Sequence, residues 1–132
     1  MSTDIRWKQR FSNYDKAFGE LSAAVARGSY DKLSQAGLIQ MFEVTFELAW
    51  KTLKDKLEHD GLKSNSPRET LKIAFQNSYI QNGDVWIDAL DNRNLLAHTY
   101  DEAKSNEARD LIRGKYFSLL KDLHTSLKKE AK

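Results

Sequence analysis

Eight residues near the middle of the chain, RNLLAHTY from Arg93 to Tyr100, collect a guanidinium, an amide, an imidazole and a phenol inside a leucine-rich stretch. An arginine offers fixed, always charged donors that fit a phosphate or its pentacoordinate transition state. A histidine exchanges protons near neutral pH. Together, Arg93 and His98 suffice in principle for metal-free RNA cleavage, in which the adjacent 2′-hydroxyl attacks phosphorus. Asn94 precedes His98 by four residues and can orient its ring. Other chemistries lack their signatures: there is no glycine-rich phosphate loop, no HExxH and no GxSxG. Cysteine is absent, which removes thiol catalysis, disulfides and thiolate metal sites. His59, His98 and His124 are too scattered to suggest a metal centre, and no cofactor is expected.

The spacing constrains how these groups can meet. At about 100° per residue, Arg93 and Tyr100 nearly share a helix face, whereas His98 points roughly 140° away from Arg93. Either the helix ends or distorts near Ala97, or a second copy of the segment completes the site across a two-fold axis. A homodimer is the favoured arrangement. It would place two arginines and two histidines in one cleft, with Leu95 and Leu96 packing the segment on the bundle or its twin. On a surface helix the same side chains would also serve as ordinary solvated or packing positions. A second polar group, Glu43, Glu47, Trp50 and Lys51, would form a partner face, although Glu47 and Lys51 at four-residue spacing suit a solvent-exposed ion pair better. His59 and His124 read as structural or exposed positions.

The elements that must carry these groups are helices. Trp7, Phe11, Tyr14, Phe18, Leu21 and Val25 recur at steps of four and three, and Gly28 and Ser29 end that stripe. Leu38, Phe42, Phe46, Ala49, Leu53 and Leu57 make a second, widened by Met41, Thr45, Leu48 and Thr52 into a broad buried face that closes near Gly61. The SPRE run from Ser66 to Glu69 predicts a capping box with proline at the first helical position, and a third helix with Leu71, Ala74, Phe75 and Ser78 inward. NGD at 82–84 predicts a turn, with Asp84 as the cap of a fourth helix that carries Trp86, Leu90 and Ala97 and contains RNLLAHTY. Ser105 or a neighbour restarts the chain. The last helix then bears Ala108, Leu111, Ile112, Tyr116 or Phe117, Leu119, Leu120, Leu123 and Leu127, and ends on Lys128, Lys129 and Lys132. Trp7 and Trp86, at helical steps, are expected in the core. The result is an all-α, up-and-down antiparallel bundle of four to five helices, with residues 1–132 as one domain.

Bulk properties agree. A chain of 132 residues with 40% hydrophobic and 30% charged side chains can bury a core. The 21 basic against 19 acidic residues leave a formal charge of +2, too little for binding to nucleic acid by general electrostatic attraction, so any RNA contact must be local. The charged first twenty residues do not resemble a signal peptide and no stretch is apolar enough to span a bilayer, so a cytoplasmic location with no membrane contact is expected.

Three stretches, IQMFEVTFELAWKTLKD (39–55), SPRETLKIAF (66–75) and DVWIDALDNRNLLAHTYDE (84–102), resemble the HEPN proteins that accompany minimal nucleotidyltransferases, also called nucleotidyltransferase substrate-binding proteins. The resemblance covers almost the whole chain, in the family's order. It implies a helical, usually dimeric bundle with a metal-independent RNase motif, Arg-x4–6-His, matched here by Arg93 and His98. On that basis Arg93 binds the scissile phosphate, His98 acts as general base or acid, and Asn94 supports the site. The pattern Arg-x4-His-x-Tyr implies that Tyr100 is adenylylated by the cognate nucleotidyltransferase, which would add bulk and negative charge beside the RNA cleft and silence a toxin. The alternative reading is a non-catalytic partner or substrate-binding subunit of that nucleotidyltransferase.

Overall fold

The computed structural model describes residues 2–93 and 101–132, and these are helical with short connections. Helix α1 spans Thr3–Val25 and starts on Ser2, whose hydroxyl accepts from the Ile5 amide. Helix α2 spans Lys32–His59 behind a reciprocal cap in which Asp31 accepts from the Ser34 amide and the Ser34 hydroxyl accepts from the Asp31 amide. The two apolar stripes meet in one core: Trp7, Phe11, Tyr14 and Leu21 of α1 and Leu38, Phe42, Phe46, Ala49, Leu53 and Leu57 of α2 are all buried. Each large side chain so buried contributes roughly 1.5–3 kcal/mol of transfer free energy. Arg10 pairs with Asp55 at 3.0 Å and Arg6 with Glu58 at 3.4 Å, so the start of α1 lies against the end of α2 and the helices run antiparallel.

Helix α3 spans Pro67–Gln76 and begins as the SPRE run predicts, with the Glu69 amide donating to Ser66 Oγ at 3.1 Å. The reciprocal bond is displaced by one residue: Glu69 accepts from the Asn65 amide at 3.0 Å instead of from that of Ser66. Leu71 and Ala74 are buried, but Phe75 is 51% exposed and Ser78 is exposed at φ 66°, so neither points inward as expected. A left-handed residue cannot continue a helix, and Ser78 closes the connection instead.

Helix α4 spans Gly83–Asp91, and Asp84 stands in its first turn instead of capping it. The N-cap is Asn82, at φ 56°, with no side-chain capping bond. Within NGD the asparagine takes the left-handed conformation, and the glycine serves close approach: a Cβ at Gly83 would lie 2.8 Å from the Phe75 ring.

The last rod begins at Asp101, which accepts from the Lys104 amide at 3.1 Å, so Asp101 and not Ser105 is the cap. Helix α5 spans Glu102–Leu111, a π-helical turn follows over Ile112–Tyr116, and α6 spans Phe117–Glu130. Gln35 opposes Ser105 at 2.8 Å, and Lys56 approaches Glu130 at 3.7 Å, so this rod runs parallel to α2. It runs antiparallel to α1, where Phe18 stacks on Phe117 and Asp15 meets His124. Trp7 and Trp86 lie in the core as expected, and Leu119, Leu120, Leu123 and Leu127 complete it. Among the described residues no helix is long and apolar enough to cross a membrane.

Candidate active site

The helix expected to run from Asp84 through Ala97 stops early. Asn92 is the C-cap of α4, its amide bonding back to the Asp88 carbonyl, so Arg93 lies beyond that helix. The end of α4 falls ahead of the motif, and the break or distortion expected near Ala97, the alternative to a site completed by a second copy, lies outside the described residues. Asn94, Leu95, Leu96, Ala97, His98 and Tyr100 lie outside the described residues.

A network of polar side chains gathers at the end of α4, just before Arg93. Tyr116 Oη donates to Asp88 Oδ2 at 2.6 Å and accepts from Asn92 Nδ2 at 2.8 Å, and Lys115 Nζ lies 3.5 Å from the same carboxylate oxygen. Burial, reinforced by the hydrogen bond to Asp88, pushes the Tyr116 hydroxyl up to about 12. Tyr116 reaches this position because it closes the π turn. The apolar sequence Ala108, Ile112, Tyr116, Leu120 advances by four residues at each step, and in an α-helix every such step drifts about 40° around the axis. One wider turn absorbs the drift, keeping Ile112, Tyr116 and Leu120 all buried. A second exposed pair, Arg68 with Asp91, ties α3 to the last residue of α4.

Arg93 itself is half exposed and reaches across to α2, where Nη1 donates to Glu47 Oε1 at 2.9 Å. The other carboxylate oxygen accepts from Trp50 Nε1 at 3.0 Å and lies 3.9 Å from Lys51 Nζ. The Glu47–Lys51 pair expected from the spacing is therefore present, but its carboxylate has a shorter, unanticipated bond to Arg93. Arg93, at the head of RNLLAHTY, and Trp50 and Lys51 of the second polar group meet at the Glu47 carboxylate. One turn before it, burial holds the Glu43 carboxyl above its ordinary value.

The remaining histidines have structural settings. His124 stacks on Phe18 with centroids 4.4 Å apart and its Nε2 lies 2.6 Å from Asp15 Oδ1. His59 Nδ1 lies 2.9 Å from Thr3 Oγ1. Among the described residues no three His, Asp or Glu side chains converge as metal ligands.

Fold and site together define a class: a helical bundle that offers an arginine just past the end of its fourth helix, at the head of an Arg-x4-His-x-Tyr segment. A family model described as "Nucleotidyltransferase substrate binding protein like" matches residues 9–129, and the chain belongs to this family. The resemblance to HEPN proteins that the sequence suggests is thereby upheld. A relative from Haemophilus influenzae named "Probable ribonuclease HepT" is 32% identical over 75 residues, which cover 53% of this chain and 51% of that protein. The match thus spans about half the length of the curated relative. A crystal structure of a protein from Thermus thermophilus superposes with a TM-score of 0.75 at 23% identity, covering 90% of this chain and 98% of the other, which supports the fold.

Proposed function

We propose that this chain is a metal-independent endoribonuclease of the HEPN type, the toxin of a pair whose antitoxin is a cognate minimal nucleotidyltransferase, and that it acts as a homodimer in the cytoplasm. The observation that carries the reading is the placement of Arg93: a half-exposed guanidinium behind a fixed helix end, at the start of Arg-x4-His-x-Tyr, in a chain of this family. Arg93 binds the scissile phosphate and stabilises the charge that develops on its oxygens. His98 takes the proton from the 2′-hydroxyl, whose oxygen bonds to phosphorus, or returns a proton to the departing 5′-oxygen as the P–O5′ bond breaks. The products are a 2′,3′-cyclic phosphate and a 5′-hydroxyl end. Asn94 supports the imidazole, and adenylylation of Tyr100 by the partner blocks the cleft by bulk and repulsion.

Purified protein in chelator should cut RNA to these ends, and His98→Ala should abolish the cutting. Full activity in His98→Ala rules out the mechanism. A second reading, a non-catalytic subunit that presents substrate to the nucleotidyltransferase, draws on the family's description and the formal charge of +2. A stable complex with the nucleotidyltransferase, together with no cleavage by the free chain, supports that reading instead.

A further inference from the structure

We infer that Glu47 is the positioning residue for Arg93, the group that aims its guanidinium at the phosphate. The inference rests on Arg93 acting as the phosphate-binding residue proposed above. A guanidinium has five donors, and Glu47 engages Nη1 through a single oxygen at 2.9 Å. Among the described residues, this one-point attachment leaves the opposite edge of the fork to a phosphate while removing much of the rotation of a long side chain. Glu47 can act as a fixed post because its other oxygen is itself held, by Trp50 Nε1 at 3.0 Å and by the charge of Lys51 at 3.9 Å. Donor and acceptor come from unlike elements: α2 is a long core helix, whereas Arg93 follows a short one. The contact thus references the arginine to the most extensively packed part of the bundle.

The pair is too exposed to matter for folding. Side-chain exposures of 44% and 41% place it among surface ion pairs, whose contribution to stability is small. Its value lies in geometry, since a misaimed catalytic group costs far more in rate than in binding. Trp50 is accordingly a support for Glu47 and not a platform for a base.

The test combines kinetics with a direct view of the side chain. In single-turnover and steady-state RNA cleavage, Glu47→Ala should lower kcat by about tenfold or more with little change in KM. Glu47→Gln, which keeps an acceptor oxygen, should recover most of the rate, and thermal midpoints should stay together. In an Arg93→Ala background, Glu47→Ala should add no further loss. An equal loss in that background, an unchanged rate, or a faster Glu47→Ala enzyme overturns the inference, the last because it would make Glu47 a competitor of the phosphate. If the wild-type chain cuts no RNA, the ribonuclease reading fails, and the clamp is judged by NMR of the Arg93 Nε–Hε group. Its order parameter should drop in Glu47→Ala and return in Glu47→Gln, and equal order in all three proteins overturns the clamp itself.

Discussion

Replacing Tyr116 by phenylalanine removes one oxygen and tests whether the π turn holds the end of α4. The aromatic ring keeps its place, stacked 5.7 Å from Phe42 in the core. The lost hydroxyl donates to the Asp88 carboxylate and accepts from the Asn92 amide. A bond to a charged acceptor contributes about 1.5–3 kcal/mol and a neutral one about 0.5–1.5 kcal/mol. Both figures belong at their low ends, because Asp88 and Asn92 are only partly buried and water can replace part of what is lost. A net cost of about 2 kcal/mol follows, equivalent to a fall of roughly 8 °C in the thermal midpoint of a domain this size. The pH dependence carries the sharper signature. The folded-state value of Tyr116, about 12, lies above the ordinary tyrosine value near 10, so its contribution is complete below about pH 10 and is lost as pH rises through about 12. Urea unfolding of both proteins from pH 7 to 12 should therefore give a stability gap that is constant to about pH 10 and then shrinks. Equal stability at pH 7, or a gap unchanged at pH 12, would refute the network.

Two further substitutions probe the surroundings. Gly83→Ala should destabilise by about 1–2 kcal/mol in urea unfolding, because its Cβ would meet the Phe75 ring at 2.8 Å. Most of that cost should vanish when Phe75 is first changed to Ala, and simple additivity of the two changes would show that the contact is not the cause. Glu43→Gln should raise stability modestly at neutral pH, because burial holds the folded-state carboxyl above its unfolded value. The sign follows from linkage: the stability that Glu43 lends is complete below its unfolded pKa and is lost as pH rises through the folded one. The advantage of Gln should therefore be absent under acid conditions, and a Gln variant no more stable at neutral pH would remove the argument from burial.

Helix existence is legible in this sequence because it depends on periodicity, which α1 and α2 display over many turns. Cap details are less legible, since they depend on local competition: Asp84 and Ser105 both have the chemistry of an N-cap, but Asn82 and Asp101 occupy those positions. Phe75 illustrates a further limit. Its spacing matches the inward stripe of α3, yet it lies half exposed against Gly83, because α3 is short and α4 turns back beside it. The site divides in the same way. Arg93 is visible as a chemically apt residue, whereas its bond to Glu47 joins positions forty-six residues apart and has no local signal. The π turn does leave a trace, in the ambiguity between Tyr116 and Phe117 as the inward residue. A run of four-residue steps marks where a helix must widen, and here the widened turn delivers a hydroxyl to Asp88 and Asn92. Because that turn and Glu47 lie on different helices, the end of α4 and the side chain of Arg93 are held by separate contacts. If the chain is the ribonuclease proposed above, loosening either one should misplace the guanidinium while the other contact survives, so the Tyr116→Phe and Glu47→Ala losses in cleavage rate are expected to reinforce each other without either substitution unfolding the bundle.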